Sequence, residues 1–89
     1  MPYIINNTRG QTVAVIPDGT IDTTSTSLQL VGRSVTEYGV PENENYVALL
    51  ENFANETPPP NPIQGQLWYD IANNAIAAWT TQNAWEALA

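Results

Sequence analysis

Hydrophobic positions along this chain follow two rhythms. In the first forty residues and the last thirty they come in short alternating or continuous blocks, divided by Asn, Gly, Pro and Thr, which is the signature of strands and turns. Between these, Tyr46, Leu49, Leu50 and Phe53 recur at i, i+3, i+4 and i+7, the spacing of one helix face. Residues 1–40 therefore read as an N-terminal β arm with strands at Tyr3-Ile4-Ile5, Thr12–Ile16 and Ser27–Val31. Asn6-Asn7-Thr8-Arg9-Gly10 supplies a turn, so residues 3–16 are expected to form a hairpin. Pro17-Asp18-Gly19-Thr20 is a second turn, in which Pro pre-sets one φ, Asp bonds the backbone ahead and Gly takes the left-handed position. The Thr- and Ser-rich run from Thr20 to Ser27 is expected to be an extended polar edge.

Residues 41–57 read as one short amphipathic helix. Asn43 is the expected N-cap, Pro41 sits just outside, and Glu42 and Glu44 suit the positive end of the helix dipole. The helix must stop before Thr57-Pro58-Pro59-Pro60, because proline lacks the N–H donor and displaces its predecessor from helical geometry. About eleven residues are too few for a helix to stand alone in water, so its stripe is expected to pack under a sheet or a neighbouring subunit. Residues 58–89 then open with Pro58-Pro59-Pro60-Asn61-Pro62, a stiff polyproline-like spacer or, as the alternative, a ligand for a proline-reading domain. A three-stranded antiparallel meander follows: Gln66–Asp70, Ala75–Thr80 and Ala84–Leu88. Its turns lie at Asn73-Asn74, suited to a type I′ geometry, and at Gln82-Asn83. Alternation puts Leu67 and Tyr69 on one face and Trp68 and Asp70 on the other, and since both carry an aromatic the buried face stays open. The expected class is α+β: a small β-rich module of N-terminal strands, one short helix and a C-terminal meander, in one compact domain.

Composition narrows the function classes. The chain has no His, no Cys and no Lys; its two basic residues are Arg9 and Arg33, against nine acidic ones, for a net charge of −7. That removes the commonest general base, thiolate metal sites and lysine chemistry. It also removes the cations that nucleic acids and anionic membrane surfaces require, so neither partner is expected. Charged residues are 12% of the chain, against about 25% in an average soluble domain, while Asn and Thr number ten each. A polar but weakly charged surface of this kind suits hydrogen-bonded assembly. The N-terminus carries no basic and apolar pattern of a signal peptide, so synthesis and assembly inside a cell are expected.

Candidate chemistry is thin. The acidic residues group as Asp18/Asp22, Glu42/Glu44, Glu51/Glu56 and Asp70/Glu86, and helix-end and turn roles account for them better than a carboxylate pair in a cleft. Asp18-Gly19-Thr20-Ile21-Asp22 lacks the alternating ligands and terminal Glu of an EF-hand loop and reads as a turn. No enzyme activity, cofactor or metal is expected. Trp68, Tyr69, Trp79 and Trp85 are expected to form core or subunit interface, with sugar stacking as the rival reading. Arg33 either grips a carboxylate bidentately or is an ordinary surface arginine.

The blocks Glu42–Asn55 and Asn61-Pro62-Ile63-Gln64-Gly65-Gln66-Leu67-Trp68-Tyr69-Asp70, joined by the proline link, resemble the N-terminal module of tailed-bacteriophage virion proteins. The likeness is to tail-fibre and baseplate-associated structural proteins of contractile-tailed phages, cyanobacterial ones included. It extends over residues 18–88, with the segment Leu30–Gly39 ahead of the helix and a tryptophan in the place of Trp85. Two departures stand out: the second hairpin strand is Ala75–Trp79 rather than Lys-rich, and Thr81-Gln82-Asn83 replaces a Gly-Thr turn. The longer relatives continue into a shaft or receptor-binding region. The resemblance implies a non-enzymatic attachment module of the virion tail, assembled in the host cytoplasm. Its implied partners are other phage structural proteins and copies of itself, as in a trimer. A host-binding tip is not implied. A head-decoration protein and a carbohydrate-binding module acting through its tryptophans are the alternatives.

Overall fold

The computed structural model describes residues 1–88; Ala89, the last residue of the third expected zone, lies outside them. The described residues form seven strands and one helix, six of the strands in the expected order and one, Ile21–Asp22, within the run expected as an extended edge. β1 (Tyr3–Asn6) and β2 (Thr12–Ile16) form the N-terminal hairpin, with Ile4 opposite Val15 and Ile5 opposite Ala14. Asn7 builds the turn: its Oδ1 accepts the amides of Arg9 and Gln11, both at 3.0 Å. The inner face of the ribbon buries Ala14 and Ile16, while Ile4 and Val15, paired on the other face, stay exposed.

β3 (Ile21–Asp22) and β4 (Leu30–Val31) are only two residues each and form a separate ladder. Gly19 takes the left-handed φ of +76° that the turn requires. Gly32 closes the corner: a Cβ there would stand 2.6 Å from the Pro17 carbonyl oxygen and 2.8 Å from that of Thr20. Both obstacles are backbone, so only glycine lets β4 pass this close. The expected extended edge from Thr20 to Ser27 is not continuous. After β3 the Asp22 carboxylate gathers the amides of Thr24 and Ser25, each at 2.9 Å, and folds the chain back, with Thr26 buried behind it. A short polar side chain that bonds the backbone just ahead offers an alternative to the ladder, and here it prevails.

α1 spans Gly39–Leu50, so it begins ahead of the expected N-cap Asn43 and takes in Pro41, expected to sit just outside. Tyr38 is the N-cap and gives no side-chain bond; Asn43, the expected cap, lies inside the helix with its Nδ2 donating to the Gly39 carbonyl at 2.6 Å. Pro41 is tolerated because the first-turn amides have no intrahelical acceptor. The helix ends well before the prolines. Phe53 N–H reaches the Ala48 carbonyl at 2.8 Å and Asn52 N–H that of Leu49 at 3.2 Å, with Asn52 at φ +54°. This is a Schellman stop, with asparagine in the place usually held by glycine. Phe53 is left-handed as well, at φ +54°, an uncommon conformation for a bulky residue.

That double turn sets the chain along the next sheet. Tyr69 N–H donates to the Asn52 carbonyl at 2.9 Å, and Ile71 N–H to that of Asn55 at 3.1 Å. Residues 52–55 thus cover the outer edge of β5 (Leu67–Asp70). β6 (Ala75–Trp79) and β7 (Trp85–Ala87) complete the antiparallel meander in the order β5-β6-β7. Its first loop has four residues, Ile71–Asn74, and of its two asparagines only Asn74 is left-handed, so the expected type I′ pair gives way to a longer turn. Asp70 holds that loop by accepting the Ala72 amide at 3.0 Å and the Asn73 side chain at 2.7 Å. The proline link is not a uniform rod, since Asn61 between two prolines has φ +51°. At this bend Ser27 Oγ donates to the Pro60 carbonyl at 2.5 Å and accepts from Gln66 Nε2 at 2.9 Å, tying the N-terminal half to the meander.

The result is a small β-rich α+β module with three separate sheets. Its radius of gyration is 14.1 Å, and it measures 44 × 27 × 17 Å. A compact chain of this length would have a radius of about 12 Å.

Candidate interaction surfaces

Register decides the meander's aromatic face. Trp68 lies opposite Ala77, which in turn lies opposite Ala87, and Trp79 lies opposite Trp85. All three tryptophans therefore share one face, and Tyr69, paired with Ile76, is on the other. Alanines at 75, 77 and 87 leave room for the indoles above them. Trp68 and Trp85 stand 5.5 Å apart at 59°, Trp79 and Trp85 5.2 Å apart at 63°, the tilted arrangements that ring quadrupoles favour. Trp68 is 8% exposed, and its indole N–H is buried without an acceptor. Rings turned against one another in this way pack as a cluster, with Trp68 buried and Trp79 and Trp85 half-buried.

The expected stripe of α1 is split. Leu49 and Phe53 turn toward an apolar groove of about 480 Å³ shared with Ile5, Val13, Leu30 and Ile63. Tyr46 and Leu50 face outward, Leu50 at 84% exposure, so within the chain the whole stripe does not pack under a sheet, the meander included. The side of α1 turned to the body carries Pro41, Asn45 and Ala48 instead, all half-buried. Asn45 is the anchor. Its Nδ2 donates to the Gln29 carbonyl at 2.7 Å and its Oδ1 accepts the Gln29 amide at 2.8 Å, so one side chain pairs with the backbone just before β4 as a strand would. Glu44 reinforces it by accepting from Gln29 Nε2 at 3.1 Å.

Turning the helix this way brings Val40 and Val47 beside Tyr46 and Leu50 on the free face, where all four are exposed. With Asn43 as the expected N-cap, Val40 falls outside the helix and its relation to Val47 is hidden. A proline read as a first-turn residue would have revealed their i, i+7 spacing. Asn45 carried one signal, an amide interrupting the side of the helix opposite Leu50.

The remaining expected residues are occupied locally. Within the chain Arg33 grips no carboxylate: its Nε donates to the Met1 carbonyl at 3.2 Å and its guanidinium lies 5.0 Å over the Tyr3 ring. A cation over an aromatic face needs no acid nearby. The one ion pair among the described residues joins the Met1 amine to Asp18 at 2.8 Å. Asp70 and Glu86 project to opposite faces of the meander and form no pair. Hydrogen bonds from the Ser25 hydroxyl, the Ser25 amide and the Thr24 amide hold Asp22 below the usual aspartate range. Among the described residues no cluster of three or more His, Cys, Asp or Glu is placed to hold a metal ion, and no helix is long and apolar enough to cross a membrane. No family model, no curated protein and no solved structure matches the chain.

Proposed function

We propose that this chain is a structural module of a tailed-phage virion, an attachment or adaptor piece of the tail fibre or baseplate that acts by burying surface against other virion proteins. The observation that carries the reading is the amount of apolar surface left outside. The core consists of Ala14, Ile16, Trp68 and Ala77, while Ile4, Val15, Val40, Tyr46, Val47 and Leu50 are among those exposed. The accessible surface is 6030 Å². A compact monomer of this mass would show roughly 5,100 Å². The difference is on the order of 900 Å², close to the ~800 Å² that one partner contributes to a standard interface.

The order of blocks that resembles phage attachment modules supplies the virion context. The outer edge of β1 is unpaired and exposed, which suits strand addition by a copy of the chain or by a neighbour. Quantitative mass spectrometry of purified virions tests the reading. A copy number in small multiples of three or six relative to the tail tube is expected. Capsid-like abundance would move the module to the head, and absence from the particle would overturn the virion assignment.

A further inference from the structure

We propose that the outward face of α1 docks a different protein, one whose contact surface is apolar at its centre and rimmed with lysine or arginine. The inference rests on the reading of the chain as an assembly module and names the partner chemistry of one surface. Val40, Tyr46, Val47 and Leu50 are exposed along the helix around the polar Asn43, and a shallow depression of about 530 Å³ lies on the Val40/Val47 side, lined also by Asn43, Glu44, Ala48 and Glu51. The helical period places Glu42 on one flank of the stripe and Glu44 and Glu51 on the other. The last turn holds no basic residue.

A second copy fits this face poorly. A twofold contact would set carboxylate flanks against carboxylate flanks, with no lysine in the chain to intervene. Arg9 sits in the β1–β2 turn and Arg33 over Tyr3, so any other surface of a copy brings at most an isolated cation. Anionic lipid and nucleic acid would be repelled by the same carboxylates. A basic-rimmed protein surface satisfies both the exposed apolar side chains and the acidic flanks.

The probe is a pair of synthetic helical peptides with the same Leu/Ala stripe, one rimmed with Lys and the other with Glu. Each is titrated into the full chain while backbone amide shifts are followed, and sedimentation velocity reports the oligomeric state. The Lys-rimmed peptide should bind at least tenfold more tightly, shift the amides of Val40, Val47 and Leu50, and weaken as salt is raised. The double substitution Val47→Ser/Leu50→Ser should lower that affinity at least tenfold while the rest of the spectrum stays folded. Equal binding of the two peptides, or shifts confined to other elements, would overturn the proposal. So would a dimer that the double substitution dissolves, since a second copy would then occupy the face. If the preference fails while virions still contain the chain at fixed stoichiometry, only this partner chemistry is lost. If the preference holds and virions lack the chain, the docking face is supported and the virion placement falls.

Discussion

The meander and the helix both carry large apolar side chains, yet in one the aromatic rings meet one another and in the other most of these side chains face out. In the meander, antiparallel register brings Trp68, Trp79 and Trp85 to one face, and alanines between them let the indoles meet. In α1 Val40, Tyr46, Val47 and Leu50 turn away while Leu49 lines the groove, and Asn45 anchors the helix to the body with a pair of hydrogen bonds. A sheet whose indoles meet one another draws stability from contacts within the chain. A helix held by an amide keeps its apolar surface available to something else.

Substitutions should separate the two regions sharply. Trp68→Ala is expected to cost about 3–5 kcal/mol, the range for removing a buried aromatic side chain, and to leave the chain largely unfolded. Urea denaturation followed by circular dichroism measures it; a loss under 1 kcal/mol would mean that the indole cluster is not the core. Asn45→Ala should cost about 1–3 kcal/mol, since the Gln29 amide and carbonyl each lose a partner. Its effect should be local, with hydrogen exchange rising across Gly39–Leu50 while the tryptophan fluorescence keeps its native maximum. A shift in that maximum would show that helix and meander are coupled.

Leu50→Ser should change stability by less than about 0.5 kcal/mol, because an exposed side chain away from special features contributes little. A large loss would place Leu50 in an interface within the folded chain or its self-assembly. The smallest effect concerns pH. Asp22 is held as the carboxylate, so its contribution is fully present above the usual aspartate pKa of about 3.9 and is lost as pH falls through the lower folded value. The protection of the Thr24 and Ser25 amides, relative to their intrinsic exchange, should therefore fall only at pH below the usual aspartate range, and Asp22→Asn should abolish that dependence.

Local chemistry was readable from the residues. The hairpin over 3–16, the left-handed Gly19, the existence of one short helix and the three strands of the meander all follow from turn residues and periodicity, which act within a few positions. The candidate surface was readable only in part. Tyr46 and Leu50 lie on it, but the apolar stripe at 46, 49, 50 and 53 was assigned to a single buried face. Two causes broke that assignment. The Schellman stop at Asn52 removes Phe53 from the helix, and the amide of Asn45 competes successfully for the inward side.

The sequence by itself determined the order and kind of elements, the acidic charge and the absence of His, Cys and Lys chemistry, because these depend on residue type and near neighbours. Tertiary structure alone decided which way the helix faces, which face of the meander is buried, and that residues 52–55 cover the edge of β5. Each of those depends on a bond between residues distant in sequence, such as Asn45 with Gln29 or Asn52 with Tyr69. A periodic pattern states that a face exists; only the partner across from it determines whether that face is inside.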